Sequence, residues 1–254
     1  MVDIHSHILY GLDDGARTLE QSVAMARMAA ENGTTDIVAT PHSNQEYVFD
    51  PAAIDARIRE VQSAVGDVPR IHRGCDFHLH TENIRDALEN PSKYAINQGR
   101  YVLVEFSDLL IPATTADTFA LMLGAGMIPI ITHPERNALL RGRAEKLRAW
   151  VEMGCLIQVT AGSLLSAWGK NAGKFAASLI EEGFAHFVAS DAHDQKYRTT
   201  SLHEAFEFVR AKWGLDVAQK LFLNNPRSVL DGGAIEQNAK AEPRPRKKWF
   251  GRWR

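Results

Sequence analysis

Seven short apolar runs, at residues 2–8, 36–40, 70–77, 101–106, 127–132, 155–160 and 186–190, alternate with longer amphipathic stretches along most of the chain. Several of the runs are apolar almost without interruption, the pattern of parallel strands covered on both faces. The stretches between them carry apolar residues at helical spacing. Residues 19–32 place Val23, Ala26, Met28 and Ala30 on one expected face and stop at Gly33, a residue type that suits a helix C-terminus. Residues 51–65, 115–124, 143–154 and 170–183 follow the same form, and further helices are expected at 202–213 and 216–223. Seven βα repeats with no linker between them point to an α/β fold closed as a barrel, with an open doubly wound sheet as the alternative. After Asp231-Gly232-Gly233 the composition turns polar and then basic. The folded unit is therefore expected at 1–231, and 232–254 as a disordered basic, aromatic tail.

Composition narrows the class. Of the 254 residues, 45% are hydrophobic and 24% charged, values ordinary for a globular protein with a sizeable core. No apolar run is long enough to span a bilayer and the first residues lack a signal-peptide pattern. Two cysteines, Cys75 and Cys155, give no disulfide framework, so a reducing cytoplasm is the expected location. The net charge of −2 conceals an uneven distribution: residues 240–254 carry a net +6 and the rest of the chain −8. An acidic body argues against nucleic acid as a partner.

The polar residues recur at one place in each repeat. Asp3, His5 and His7 alternate with Ile4 and Ile8, so the three polar side chains share one face of the first strand. Two imidazoles at that spacing can grip one metal ion, and Asp13-Asp14-Gly15 follows in a loop. His42 lies just past the second strand, Asp76 ends the third, Glu105 closes the fourth, His133 follows the fifth, and Asp191 and His193 follow the last. A lone residue of this kind is readily a cap or a surface group. The same placement on six strands marks the C-terminal ends where barrel enzymes build their sites. Nine candidate ligands result: His5, His7, Asp14, His42, Asp76, Glu105, His133, Asp191 and His193, while Asp3 is not needed among them and is expected to orient an imidazole. They suit two or three divalent ions, manganese, iron, cobalt or zinc, and the lack of clustered thiolates argues against a structural zinc site. Three such ions would outweigh the four carboxylates by two charges, a balance that favours an anionic substrate. Side-chain nucleophiles find no support: the residues six positions after Cys75 and Cys155 are Thr81 and Ala161, where a cysteine phosphatase needs arginine. Phosphate-cradling glycine motifs and a nucleophile elbow are also absent from the sequence.

The ordered set of motifs resembles the polymerase and histidinol phosphatase (PHP) superfamily: Asp3-Ile4-His5-Ser6-His7 with Asp13-Asp14-Gly15, Pro41-His42, Val104-Glu105-Phe106-Ser107, His133-Pro134-Glu135-Arg136 and Ser190-Asp191-Ala192-His193. Within it, the chain is similar to the bacterial protein-tyrosine phosphatases of capsule and exopolysaccharide gene clusters, from Met1 to Asp231 and including Asn225-Pro226-Arg227. The resemblance implies a distorted (β/α)7, TIM-like barrel of the PHP type. It implies one metal on His5, His7, Asp76 and Asp191, a second on Asp76, Glu105 and His133, and a third on Asp14, His42 and His193, with manganese foremost. It also implies phosphate-binding roles for Arg136 and Arg198, whose planar guanidinium forks suit phosphate oxygens. Asp76 is a departure, since that position is usually glutamate in the family. Metal-activated water attacking phosphorus, with a tyrosyl oxygen of pKa about 10 as leaving group, is the chemistry so implied. The implied substrate is the tyrosine-rich tail of a membrane-associated kinase that regulates polysaccharide synthesis. A small-molecule phosphoesterase acting on a histidinol-phosphate-like compound and a non-catalytic metal-binding module are the alternatives. Residues 240–254, with Trp249, Phe250 and Trp253 among seven basic residues, have the composition of a segment that contacts anionic lipid at the inner face of a membrane.

Overall fold

The computed structural model of the chain describes residues 1–244. Nine parallel strands form its framework: β1 Val2–Ser6, β2 Asp36–Ala39, β3 His42–Ser43, β4 Arg70–Arg73, β5 Asp76–His78, β6 Tyr101–Glu105, β7 Ile128–Thr132, β8 Leu156–Thr160 and β9 Phe187–Ala189. Each of the seven expected runs contains a strand. They form two sheets, a three-stranded one in the order β1-β2-β4 and a six-stranded one in the order β3-β5-β6-β7-β8-β9. The expected single barrel is thus not one continuous hydrogen-bonded set, and the run at 70–77 is divided. The reason is local. Pro41 has no N–H to continue the β2 ladder. At Gly74 a Cβ would stand 2.7 Å from Val38 Cγ1, so a close approach to β2 separates β4 from β5. Backbone bonds nonetheless cross the junctions, Asp76 N donating to Pro41 O at 3.1 Å and His7 N to Ala192 O at 2.8 Å.

The longer helices are α1 Leu19–Glu31, α2 Pro51–Val65, α3 Thr81–Glu89, α4 Thr115–Gly124, α6 Ala144–Glu152, α8 Gly169–Glu181 and α9 His203–Trp213, with short helices α5 Ala138–Arg141, α7 Ala161–Leu164, α10 Leu215–Gln219 and α11 Asn225–Leu230. Between α10 and α11 the backbone is π-helical over Lys220–Asn224. Thr18 caps α1 by accepting from Gln21 N, but the buried face is Ser22, Met25, Ala26 and Ala29. Of the expected face only Ala26 is fully buried, because the helix is rotated relative to the periodicity read from Val23 and Met28. Alternate strand residues serve two apolar clusters. Ile37, Val104, Ile131 and Val188 pack with helix residues such as Met25, Ile54, Phe119 and Trp150. Ile4, Val38, Leu103, Ile130 and Phe187 pack with one another and with Val229 and Leu230. This arrangement leaves the C-terminal ends of the strands to polar residues.

Beyond the boundary expected at 231, residues 233–244 run along the body. Tyr101 Oη donates to Gly233 O at 2.5 Å, Asn238 Nδ2 to Ala185 O at 2.5 Å, and Ala241 N to Glu181 O at 3.0 Å. The lipid-contact segment expected at 240–254 lies outside the described residues from 245 onward. Among the described residues no helix is long and apolar enough to cross a membrane. Cys75 and Cys155 are buried free thiols.

Candidate metal centre

All nine candidate ligands converge at the C-terminal ends of the strands. Their ligand atoms fall into four overlapping groups, each within 4.8 Å: His7, Asp14, His42 and His193; His42, Asp76, His78 and Glu105; His5, His7 and Asp76; and His5, His133 and Asp191. The backbone is shaped to present them. His133, directly after β7, and Asp191, two residues past the end of β9, adopt positive φ of 31° and 51°, which costs energy for any residue other than glycine. The 13–15 loop folds onto His7, where a Cβ on Gly15 would stand 2.1 Å from His7 O, so no larger residue fits.

Three histidines have one nitrogen anchored. His5 Nδ1 donates to Gln158 Oε1 at 3.0 Å, His7 Nδ1 to Asp13 Oδ2 at 2.6 Å, and His193 Nδ1 to Asp191 O at 3.1 Å. Fixing the proton on Nδ1 leaves Nε2 as the lone-pair donor toward the centre. Those Nε2 atoms face carboxylates: His5 and His7 each lie 3.5 Å from Asp191 Oδ1, and His193 lies 3.3 Å from Asp14 Oδ1. His42 is different, with Nε2 3.4 Å from Asp14 and Nδ1 3.1 Å from Asp76 and 3.4 Å from Glu105. Asp76 Oδ1 and Oδ2, Glu105 Oε2, His42 Nδ1 and His78 Nε2 are buried without a well-directed hydrogen bond. Buried polar atoms without partners are costly, and a concentration of them with both nitrogen and oxygen donors fits divalent cations.

The electrostatics follow from the crowding. Burial pushes the Asp76 carboxyl up, but the His5 and His42 imidazoles override it and hold it well below the usual range. Burial likewise opposes a proton on His7 and His42, yet Asp13 lifts the first to about 9 and Asp14 with Asp76 lifts the second to about 11. Protons and metal ions therefore compete for the same lone pairs. Burial and the Asp76 charge raise Glu105.

Arg136 and Arg198 stand at one edge, both donating to Asp191 Oδ2, Arg198 at 2.8 Å. The loop carrying Arg136 is pinned from behind. Glu135 is buried, accepts from Thr160 N at 2.8 Å, and is pushed by burial to about 7. Arg141 holds the Glu135 and Arg136 carbonyls at 2.8 and 2.9 Å.

Three features depart from the reading of the sequence. His78, which faces Glu105, had been passed over, although it stands two residues after Asp76 on the same strand, the spacing that singled out His5 and His7. Gln158 was also missed; its signal is a fully buried amide inside the apolar run of β8. Asp3 was expected to orient an imidazole. Instead its Oδ1 accepts from the His5 and Ser190 backbone N–H groups at 3.3 and 3.0 Å, tying β1 to β9, and Gln158 and Asp13 orient the rings.

A parallel α/β framework with clustered imidazoles and carboxylates at its strand ends defines the class, a metal-dependent hydrolase. The family profile for capsular polysaccharide synthesis, CpsB/CapC, matches residues 1–231. The chain belongs to that family. It is 34% identical to tyrosine-protein phosphatase YwqE of Bacillus subtilis (strain 168) and 32% identical to the putative tyrosine-protein phosphatase CapC of Staphylococcus aureus, with 99% of both chains covered in each case. A crystal structure described for YwqE and for CpsB of Streptococcus pneumoniae, as unique metal-dependent tyrosine phosphatases, superposes with a TM-score of 0.87 at 32% identity, covering 97% of this chain and all of that one.

Proposed function

We propose that this chain is a metal-dependent tyrosine-protein phosphatase, the activity for which its full-length relatives are named. One observation carries the reading: the four overlapping ligand groups share an edge with Arg136 and Arg198. His5, His7, Asp76 and Asp191 would hold a first ion, Asp76, Glu105 and His133 a second, and Asp14, His42 and His193 a third. His78 lies against the second set and His7 against the third. Manganese is the ion we favour, for a donor set of mixed imidazole and carboxylate. Divalent ions there supply a water acidic enough to ionise near neutral pH and polarise the phosphoryl oxygens. Gln158 and Asp13 hold the imidazole tautomers that make this possible. Arg136 and Arg198 bind the equatorial phosphoryl oxygens, exchanging Asp191 for the phosphate dianion as their partner. We further read the two sheets as one distorted (β/α)7 barrel, supported by the bridge between Ser6 and Ala192 and by Asp191 N donating to His5 O at 2.9 Å.

The family's role in capsular polysaccharide synthesis supports a substrate in its regulation, the phosphorylated tyrosine-rich tail of a membrane-associated bacterial kinase. Such a substrate and two free thiols favour the cytoplasm, at the inner face of the membrane. The test is manganese-dependent release of phosphate from a phosphotyrosine peptide, beside a phosphoserine peptide and histidinol phosphate, with His5→Ala as control. Preference for phosphotyrosine, lost in His5→Ala, is expected. Preference for histidinol phosphate would overturn the protein-substrate reading, and full activity in His5→Ala would overturn the metal chemistry.

A further inference from the structure

The two cavities that border the centre share one wall. The smaller, about 120 Å³, is lined by Glu105, Phe106, His133, Arg136 and Trp168 among others. The larger, about 710 Å³, runs outward from Asp191 and Arg198 past Trp168, Leu165 and Tyr197. Trp168 lines both. Its indole sits beside the two guanidinium groups, with Arg136 Cζ 3.8 Å and Arg198 Cζ 5.5 Å from the ring centroid. Cations held over an aromatic ring are attracted by its quadrupole, so the indole and the Arg–Asp191 pairs constrain both arginines together. Yet Trp168 remains 40% exposed, although an indole of this size is normally well covered.

Its surroundings on the outward side are also apolar and uncovered. Leu165 is 41% and Tyr197 78% exposed. Tyr197 is fixed by a tight turn in which Asp194 Oδ1 accepts from the Lys196 and Tyr197 N–H groups at 2.6 and 2.5 Å. Leu165 and Trp168 lie in the connection from α7 to α8, where Ser166 takes a positive φ of 66°. Exposed apolar side chains grouped beside a charged centre mark a surface that is covered when something binds. The position of Trp168 specifies what: its ring adjoins the two arginines, at the mouth of a cavity where Leu165, Ala167 and Tyr197 stand beside the polar Thr199, Ser201 and Glu204.

We propose that Trp168 is the specificity-determining residue of this site, the wall against which the aromatic ring of an aryl phosphate lies while Arg136 and Arg198 hold its phosphoryl group. This rests on the phosphatase reading above for the phosphoryl end and adds the residue that recognises the leaving group. Offset and edge-on contacts between aromatic rings favour an aryl over an alkyl phosphate by about tenfold at one such wall. Leu165 and Tyr197 extend that wall along the larger cavity, where a substrate chain continues.

The test uses manganese-loaded full-length enzyme and two inert probes, phenylphosphonate and methylphosphonate, titrated calorimetrically into the wild type, Trp168→Ala and Trp168→Phe. Wild type is expected to bind the aryl probe about tenfold more tightly; Trp168→Ala should lose that preference and Trp168→Phe should keep it within about threefold. Unchanged manganese content shows that the variants retain the centre. An aryl preference that survives in Trp168→Ala overturns the proposal. So does equal weakening of both probes, which would leave Trp168 as a support for the arginines alone, or a wild type with no preference. Turnover of a phosphotyrosine peptide is measured separately. Its absence with the aryl preference intact would overturn the protein-phosphatase reading and leave this one standing.

Discussion

At the N-terminal ends of the strands, Asp36 is fully buried and satisfied on every side. Its carboxylate accepts from Thr35 Oγ1 at 2.8 Å, lies 2.9 Å from His72 and 3.2 Å from Arg70, and pairs with Arg227 of α11. Burial raises its pKa, but Arg227 and His72 outweigh that and hold it low. At the opposite ends Asp76 is as deeply buried, and neither of its oxygens has a well-directed hydrogen bond. One carboxylate is hydrogen-bonded all round by its own chain; the other faces only the His5 and His42 imidazoles and keeps its oxygens open to cations. The difference separates a group that holds the fold together from one kept at a cost to it.

The sharpest break of that contrast is Asp76→Ala. It should lower kcat/KM for a phosphotyrosine peptide roughly 1000-fold and remove bound manganese, read by elemental analysis. Thermal stability in chelator should change little, because losing the attraction of His5 and His42 is offset by no longer burying a carboxylate that lacks a well-directed hydrogen bond. Retention of both metal and turnover would mean that Asp76 is not part of the centre. The counterpart is Asp36→Ala, which removes the buried acceptor shared by Thr35, His72 and Arg227. It should cost about 2 kcal/mol in urea unfolding, since solvent reaches Arg70 and Arg227, while leaving kcat of the folded enzyme unchanged. If instead kcat collapses at unchanged stability, the N-terminal ends are not purely structural.

The contrast also explains what the sequence could and could not disclose. Positions along β1, β6 and β7 were legible because an apolar run followed by His, Asp or Glu is a one-dimensional signal, and each of those strands is continuous. The division of 70–77 into β4 and β5 was not, since it depends on how close Gly74 comes to Val38 in a different strand. Nor was α3 anticipated: its nine residues bury only Ala87, too little for an apolar periodicity to show. In the site, the ligand types were legible, but not how one residue is shared between groups. His42 falls both with Asp14 and His193 and with Asp76, His78 and Glu105. His133 lies with His5 and Asp191 while its Nε2 is 3.5 Å from Glu105, a consequence of three-dimensional register. His78 was the avoidable omission. Asp3 was the instructive error: sharing a face with His5 identifies a neighbour, but its carboxylate is taken by the backbone N–H of Ser190, just past β9.

Arg136→Ala sharpens the comparison at the substrate edge. Removing a charged group that binds the phosphoryl oxygens should lower kcat/KM about 100-fold with manganese content unchanged. A parallel loss of manganese would show that Arg136 acts by holding Asp191 in place.

The smallest effect belongs to the other end. His186 precedes β9, where its Nδ1 accepts from Ile157 N at 3.1 Å and its Nε2 lies 3.4 Å from Gln237 Oε1. Burial is the main cause of its depressed pKa, about 4, with the Gln237 contact working the other way. The unfolded chain therefore takes up the proton at higher pH than the folded one, near 6.5. Stability from the neutral imidazole is complete above pH 6.5 and is lost as pH falls through 4. At pH 5 the loss amounts to about 2 kcal/mol. In chelator-treated protein, so that the centre does not contribute, His186→Asn should unfold with a shallower dependence on pH between 7 and 5 than the wild type. Equal slopes would mean that His186 is reached by water and protonates in the folded chain, and the N-terminal ends would then be less tightly sealed than their hydrogen bonds imply.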